Sequence, residues 1–287
     1  MGYYVKLVRP HQWIKNFFLF APLFFSFQYS AYKILQVTLG FLLFSFAASG
    51  LYILNDIFDR KEDQHHPEKK QRPLAAGHIG VNTAIVIMGI LLLLSLAGAY
   101  MLSIGFLNIL LLYIIMNIAY SLKLKQVSIL DITLIAIGFV LRIYAGAEII
   151  DVTPTHWIVL VTFLLALFLG LAKRRDDVLL ENTGLKTRKN VDGYNLEMIN
   201  AGMVFMAGVT TVAYIMYTLS EDVINRLDSS SIYLTSVFVI IGILRYMQIT
   251  FVENRSGNPT YIVIKDSFLQ LVIISWLASF LIFYYWV

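Results

Sequence analysis

Residues 33–63 read KILQVTLGFLLFSFAASGLYILNDIFDRKED, an apolar run that ends in a cluster of acidic residues. The apolar part is about twenty residues long, which is enough to cross a bilayer as a helix. Asp56, Asp59 and Asp63 follow it at spacings of three and four, so they share one helix face. Carboxylates at a membrane boundary are costly unless a cation neutralises them, and Mg²⁺ prefers carboxylate and phosphate oxygens. The stretch therefore predicts a metal–diphosphate site at the end of a transmembrane helix.

The alternative interpretation of these acids is a solvated helix end of mixed charge, because Arg60, Lys61 and Glu62 lie among them. Asn55 directly precedes the acids, and its amide oxygen is a further ligand type that suits Mg²⁺ held through water or diphosphate. We therefore favour the metal site.

The composition is that of a membrane protein. Hydrophobic residues make up 59% of the 287 residues and charged residues 14%, with a mean hydropathy of +0.73. A soluble domain has about 25% charged residues. Cysteine is absent, which excludes a disulfide framework and thiolate chemistry. No feature indicates a nucleic-acid partner, and we expect none.

Nine apolar runs approach or reach the length of a membrane span. They predict an all-α polytopic membrane protein that forms a single domain over residues 1–287. The first run is short and is expected to tilt or to cross only partly. The runs lie at about 17–31, 33–54, 81–102, 104–122, 127–149, 156–173, 197–219, 230–250 and 266–286.

The distribution of basic residues predicts the orientation. With nine spans, all of the 22 basic residues except Lys33, Arg142 and Arg226 fall on the side of the N-terminus. The positive-inside rule then places the N-terminus and the polar loops at about 55–80 and 174–196 in the cytoplasm. We expect a protein of the cytoplasmic membrane whose active-site mouth faces the cytoplasm.

A second charged cluster begins the later polar loop. Lys173, Arg174 and Arg175 are either a positive-inside anchor or a basic clamp for phosphate oxygens. Asp177 and Glu181 follow at a spacing of four, and they are candidate ligands of a second metal ion.

Isolated polar residues within or beside the spans are further candidates. Arg142 lies inside the fifth span, where an arginine normally faces a cavity or a partner, or forms a structural ion pair. Tyr120 and Lys123 end the fourth span, and Lys125 follows them. Lysines at a span end usually snorkel, although these are also placed to line a cytoplasmic mouth.

These motifs resemble the UbiA superfamily of intramembrane prenyltransferases. Its first acidic motif reads Asn-Asp-x-x-Asp-x-x-x-Asp, which the chain matches in full from Asn55 to Asp63. The resemblance continues through RPLAAG at 72–77, Tyr120-Ser121 with Lys123, and Leu141-Arg142. It implies nine transmembrane helices around a central cavity, with polar loops over its cytoplasmic mouth.

Two features resemble the decaprenyl-phosphate phosphoribosyltransferase branch of that superfamily. One is the opening RPHQWIKN at 9–16, and the other is the basic run at 173–175 followed by Arg188 and Tyr194. Quinone-type members carry Asp-x-x-x-Asp as the second motif, where this chain has Asp177-x-x-x-Glu181. This departure weakens the aromatic-prenyltransferase interpretation and suits a highly anionic soluble donor.

The resemblance implies Mg²⁺-dependent transfer of phosphoribose from phosphoribosyl pyrophosphate to a polyprenyl phosphate, with release of diphosphate. The alternative is a prenyltransferase that moves an isoprenoid from its diphosphate to an aromatic or other small acceptor. The partners are then a polyprenyl lipid and a phosphorylated soluble donor. A transporter is a third interpretation, but its ionisable groups should lie near the midplane and on both sides.

The residues and the resemblance together give each candidate an expected role. The expected catalytic residues are Asp56, Asp59, Lys123 and Arg142. The expected substrate-binding residues are Lys15, Asn16, Asn55, Arg72, Tyr120, Lys173, Arg174, Arg188 and Tyr194. The expected metal ligands are Asp56, Asp59, Asp63, Asp177 and Glu181.

Overall fold

The computed structural model describes residues 2–65, 69–182, 193–255, 257 and 259–286. These residues form helices and turns without a strand, and eight of the helices are long and apolar enough to cross a membrane. The all-α, polytopic membrane fold is therefore confirmed. The contacts group the chain into two compact units, Met1–Pro154 and Thr155–Val287. The expected central cavity and the single domain stay predictions.

The first unit is built around α3 (Ala31–Phe58), which packs against α5 (Val81–Leu102), α6 (Ile104–Leu122) and α7 (Leu130–Ile150). Its core includes Phe44 of α3, Phe106 and Leu110 of α6, and Ile149 of α7. Ser30 caps α3 by accepting a hydrogen bond from the backbone N–H of Lys33 at 3.2 Å. The helices of this unit are α1 (Gly2–Val8), a 3₁₀ helix (Pro10–Phe20), α2 (Ala21–Ser26), α3 (Ala31–Phe58), α4 (Arg60–Asp63), a 3₁₀ turn (Lys69–Gln71), α5 (Val81–Leu102), α6 (Ile104–Leu122), a 3₁₀ turn (Leu124–Gln126) and α7 (Leu130–Ile150).

The first predicted span, 17–31, is formed differently from the others. The 3₁₀ helix Pro10–Phe20 and α2 replace one long helix, and the 3₁₀ rise of about 2.0 Å per residue lets a short segment cover more depth. The segment runs antiparallel to α3, because Trp13 donates to Ser49 at 3.0 Å and Asn16 donates to Ser45 at 2.9 Å. Within the first unit it therefore lies alongside α3, as a further segment that is not one of the long apolar helices.

A glycine sets the position of this first segment. A Cβ atom added at Gly146 in α7 would overlap the backbone carbonyl oxygen of Leu19. Only a residue without a side chain lets the two backbones approach so closely. The contact between the first segment and α7 therefore depends on Gly146.

The second unit contains the remaining spans. α8 continues nine residues past the predicted end of its span at 173, so the first part of the predicted loop 174–196 is helical. Near the start of α13, two hydrogen bonds from Arg245 hold the pKa of Asp266 below its usual value. The helices are α8 (His156–Asn182), α9 (Leu196–Thr218), α10 (Glu221–Leu227), a 3₁₀ helix (Ser230–Thr235), α11 (Ser236–Phe251), α12 (Pro259–Lys265) and α13 (Ser267–Trp286).

Candidate active site

The three aspartates of the first acidic motif lie at the end of α3 and in the short helix that follows it. Asp56 is in the last turns of α3, Asp59 follows the helix, and Asp63 ends α4. The backbone N–H of Asp59 still bonds to the carbonyl oxygen of Asn55 at 2.9 Å, so the helical course continues across the junction. Asp56 and Asp63 are both buried, at 2% and 4% exposure. Buried carboxylates need cationic or hydrogen-bonding partners.

Asp56 is held by two arginines. Arg9 donates from Nη2 to its two carboxylate oxygens at 2.5 and 2.7 Å, and Arg72 donates to Oδ1 at 3.0 Å. The backbone of Arg9 is left-handed, with a φ of 55°, between α1 and the 3₁₀ helix. This conformation is uncommon for a residue other than glycine. The turn brings the guanidinium onto Asp56 and over the ring of Tyr52, 5.4 Å from its centroid.

Arg72 joins two of the acids. Its Nη1 donates to Asp63 at 2.6 Å as well as to Asp56. Burial raises the pKa of the Asp63 carboxyl, while the charge and the hydrogen bond of Arg72 act in the opposite direction. Arg72 was expected to bind substrate, and the structure places it among the acids.

Asp59 has a lysine partner. Lys125, in the 3₁₀ turn after α6, forms an ion pair with Asp59, and Asn55 donates to Asp59 at 3.0 Å. Lys123, the expected catalytic lysine, is exposed at the end of α6 and contacts no acid in the described part of the chain. Tyr120 lies half-buried in the last turn of that helix.

The ion-paired charges of this cluster balance. Among the described residues, the three carboxylates form ion pairs with Arg9, Arg72 and Lys125, so the cations equal the acids in number. An added diphosphate would leave the cluster strongly negative unless further positive charge entered with it. The hard oxygen donors suit Mg²⁺, although no three acidic or histidine side chains converge on one point among the described residues. The donor chemistry therefore fits Mg²⁺ held jointly with diphosphate rather than by protein ligands alone.

Arg142 lies deeper in the first unit. It is 5% exposed and donates to Asn16 at 2.8 Å, to the carbonyl oxygen of Gly138 at 2.6 Å and to the hydroxyl of Tyr113 at 2.9 Å. Its guanidinium also lies over the rings of Phe44, Tyr113 and Phe139. Asn16, an expected substrate contact, accepts from Arg142 and donates to Ser45 at 2.9 Å.

The second charged cluster lies on α8 in the second unit. Arg174 is 1% exposed and forms an ion pair with Asp177 one turn further along the helix. Lys173 and Glu181 are half-buried, and Tyr194 is buried. Arg188 lies outside the described residues.

Arg175 has a structural role in this unit. It donates to Thr250 O at 2.8 Å, to Asn200 at 3.1 Å and to Asn254 at 3.2 Å. These contacts join α8, α9 and the end of α11, where the last backbone carbonyls need donors. The sequence places Arg175 in a basic run that is either a positive-inside anchor or a phosphate clamp, and in the structure its side chain joins α8 to α9 and to the end of α11.

Several residues of the first unit's cluster were not among the predicted site residues. Arg9 and Lys125 complete the ion pairs, and Tyr52 and Tyr113 line the space near Arg9 and Arg142. The sequence signal for Arg9 was its place in the opening at 9–16. Lys125 lies two residues after Lys123 in the sequence. Only the turn between α6 and α7 determines which of the two lysines pairs with Asp59.

The fold and the site together define the class of protein. It is a membrane-embedded helical protein with an acidic cluster at a helix end. The model of the UbiA prenyltransferase family matches residues 17–269, and the chain belongs to this family. It is therefore a membrane transferase.

Two relatives and one solved structure describe the similarity further. The decaprenyl-phosphate phosphoribosyltransferase of Mycolicibacterium smegmatis is 32% identical over 288 residues, covering 96% of this chain and 90% of the relative. The protein of the same name from Mycobacterium tuberculosis is 30% identical, with 96% and 92% covered. The structure of a UbiA homolog from Archaeoglobus fulgidus bound to DMAPP and Mg²⁺ matches with a TM-score of 0.72 at 23% identity, over 99% of this chain and 100% of that one. This last likeness concerns the fold.

Proposed function

We propose that the protein transfers phosphoribose from phosphoribosyl pyrophosphate to a polyprenyl phosphate and releases diphosphate, in a reaction that depends on Mg²⁺. The observation that carries the proposal is the charge-balanced cluster of Asp56, Asp59 and Asp63 with their three cationic partners. The similarity over nearly the whole chain to relatives named decaprenyl-phosphate phosphoribosyltransferase favours this donor and acceptor.

The residues of the cluster would share the work of holding the leaving group. Asp56, Asp59 and Asp63 would hold Mg²⁺, which when bound neutralises the charge that develops on the departing diphosphate. Arg9 and Arg72 offer planar forks of N–H donors that match phosphate oxygens, and they would turn from the carboxylates to the diphosphate. The protein's own contribution is thus to place the diphosphate and to balance its charge.

The bond changes at the reacting carbon are simple. An oxygen of the lipid phosphate forms a bond to ribose C1, and the bond from C1 to the diphosphate oxygen breaks. The electron pair of that bond leaves with the diphosphate, and the sugar passes through an oxocarbenium-like state. Donors aimed at the departing oxygens stabilise this state more than the ground state.

The basic residues of the second cluster are proposed to recognise the sugar donor. Phosphoribosyl pyrophosphate carries a 5-phosphate besides its diphosphate, so it needs cationic partners beyond those that serve the diphosphate. Arg174 is buried and already oriented by Asp177, and Arg188 follows it in the sequence. A guanidinium binds a phosphate with two parallel hydrogen bonds, which an ammonium does not.

We expect Arg174→Lys and Arg188→Lys to raise the apparent KM for phosphoribosyl pyrophosphate more than that for the lipid. A rise in this KM of about tenfold corresponds to the loss of one charge-assisted hydrogen bond. Steady-state kinetics with each substrate varied in turn give the comparison. Arg255→Lys is the matched control, because Arg255 is 68% exposed and pairs with Glu253. Unchanged constants in both variants would mean that these arginines serve only as topology signals.

We propose that the acidic cluster faces the cytoplasm. The support is the excess of basic residues on this side, including Arg9, Arg72 and Lys125 of the cluster itself. We expect Gln71→Cys to react with a membrane-impermeant thiol reagent only after the cells are opened, since the wild-type chain has no cysteine to interfere. Equally fast labelling in intact cells would show the opposite orientation.

A double-label assay separates the proposed reaction from the alternative one. Purified protein is given Mg²⁺, polyprenyl phosphate, phosphoribosyl pyrophosphate labelled in the ribose, and, in a parallel reaction, an isoprenyl diphosphate with an aromatic acid. We expect ribose label to enter the lipid phase and no prenylated acid to form. Isoprenoid transfer to the acid without use of the sugar donor would establish the aromatic prenyltransferase instead.

A further inference from the structure

The guanidinium of Arg142 is a buried charge whose contacts in the first unit are all with neutral groups. Its hydrogen-bond acceptors are an amide, a backbone carbonyl and the phenol of Tyr113, and its guanidinium lies over the Tyr113 ring and two phenylalanine rings. No carboxylate among the described residues forms an ion pair with it. A buried charge is costly unless an opposite charge balances it. Arg142 is therefore suited to an anion that enters from outside the chain.

The number of N–H groups on Arg142 also leaves donors for an anion that enters from outside the chain. A guanidinium has five N–H donors, and the contacts to Asn16, Gly138 and Tyr113 use one on each nitrogen. One N–H on each terminal nitrogen is left over in the described structure. A planar bidentate contact with a phosphate uses two N–H donors of a guanidinium.

A second cation lies beside Arg142. Lys15 is half-buried and directly precedes Asn16, whose side chain accepts a hydrogen bond from Arg142. The charges of Arg142 and Arg9 both act on Lys15. Its ammonium has no hydrogen bond or ion pair within the part of the chain that the structure describes. Arg9 is already neutralised by Asp56. Lys15 and Arg142 are thus two neighbouring positive charges without a balancing negative charge.

The depth of these cations indicates which anion they would meet. Asn16, which orients Arg142, bonds to Ser45, and Ser45 precedes Asp56 by eleven residues on α3. At about 1.5 Å per residue, this level lies about 16 Å from the acids, towards the membrane interior. Lys15 precedes Asn16 by one residue in the 3₁₀ helix, so its backbone lies near this level. Phe44 and Phe139 provide apolar walls around the guanidinium, so a lipid anion fits better than a soluble one.

We propose that Lys15 and Arg142 bind the phosphate head group of an isoprenyl monophosphate, the acceptor lipid. A phosphate monoester carries a charge of about −1.5 to −2 at neutral pH, which matches the two uncompensated cations. The inference rests on the proposed function for the identity of the lipid as acceptor. It assigns the sugar donor's diphosphate to the acids and the acceptor's phosphate to the cations further into the membrane.

The test compares two lipids that differ only in the phosphate. Farnesyl phosphate and farnesol are titrated into the purified full-length protein without Mg²⁺ or sugar donor. We expect the wild type to bind farnesyl phosphate at least about tenfold more tightly than farnesol. Lys15→Gln should lower this ratio about tenfold, the scale of one charge-assisted hydrogen bond, and Lys15→Arg should keep most of it. Lys33→Gln is the matched control, because Lys33 is half-buried at the other end of α3 and bonds to Gln28.

Two outcomes would overturn the inference. One is equal affinity of the wild type for the phosphate and the alcohol. The other is a ratio that Lys15→Gln leaves unchanged while its elution profile shows a folded protein. Because no sugar donor is present, a preference for the phosphate supports the head-group site even if phosphoribosyl transfer is not found, and in that case only the proposed reaction fails.

Discussion

Asp56→Ala and Asp59→Ala should each reduce turnover by about a hundred- to a thousandfold. Losing one electrostatic contact to the developing charge in a water-excluded site costs about 2.7–4 kcal/mol of transition-state stabilisation. Asp56 is 2% exposed and is bound by two arginines, while the side chain of Asp59 is 22% exposed and pairs with Lys125. The two variants therefore remove carboxylates that have different cationic partners and different exposure. Turnover at saturating substrates gives the measurement.

The stability of the two variants separates chemistry from folding. Removing one partner of a buried ion pair costs about 3–5 kcal/mol, so Asp56→Ala is also expected to lower the melting temperature. Asp59 is more exposed, and its variant should melt close to the wild type. Asp222→Ala, at an exposed position in α10, is the control for a lost carboxylate. Near-normal turnover of Asp59→Ala at ordinary Mg²⁺ would remove the basis for the metal site.

Gly146→Ala should destabilise the protein by more than about 3 kcal/mol. The added Cβ would overlap the carbonyl oxygen of Leu19. Overpacking usually costs about 1–3 kcal/mol when side chains can shift, but here the obstacle is backbone. The first segment would have to move away from α7, and Asn16 would lose its position beside Arg142. Thermal unfolding in detergent measures the change, and activity should fall with it.

The same substitution at another helical glycine provides the control. A Cβ at Gly89 in α5 meets no atom within 4 Å. Alanine is favoured over glycine in a helix by up to about 1 kcal/mol, so Gly89→Ala should be neutral or slightly stabilising. A Gly146→Ala protein as stable as Gly89→Ala would mean that the first segment does not pack on α7 as described.

The long spans were predictable because a membrane helix is specified by length and apolarity alone. The bounds of α5, α6 and α13 agree with the predicted runs to within a residue or two. The acidic motif was predictable for a similar reason, since its spacing is local. Asp56, Asp59 and Asp63 lie on neighbouring turns in the structure, as their spacing indicates.

The partners of the acids were not predictable from local sequence. Arg9 and Lys125 meet Asp56 and Asp59 across 47 and 66 residues of chain, and only the packing of helices sets such pairs. The 3₁₀ course of Pro10–Phe20 was also missed, because apolarity does not distinguish it from an α-helix. The sequence did not predict that α8 continues beyond residue 173, because the polar residues there are typical of a loop.

Equilibrium binding of inorganic diphosphate to the purified protein tests most directly the claim that the cluster holds a metal–diphosphate unit. The three acids and three cations balance in the absence of ligand, so diphosphate should bind tightly only together with Mg²⁺. We predict that chelating the metal weakens diphosphate binding by at least about a hundredfold in the wild type, the scale of a lost electrostatic contact of this kind. In Asp59→Ala, adding Mg²⁺ should restore little of the affinity for diphosphate. Equal affinity with and without Mg²⁺, or an Asp59→Ala protein that keeps the full effect of the metal, would contradict the account.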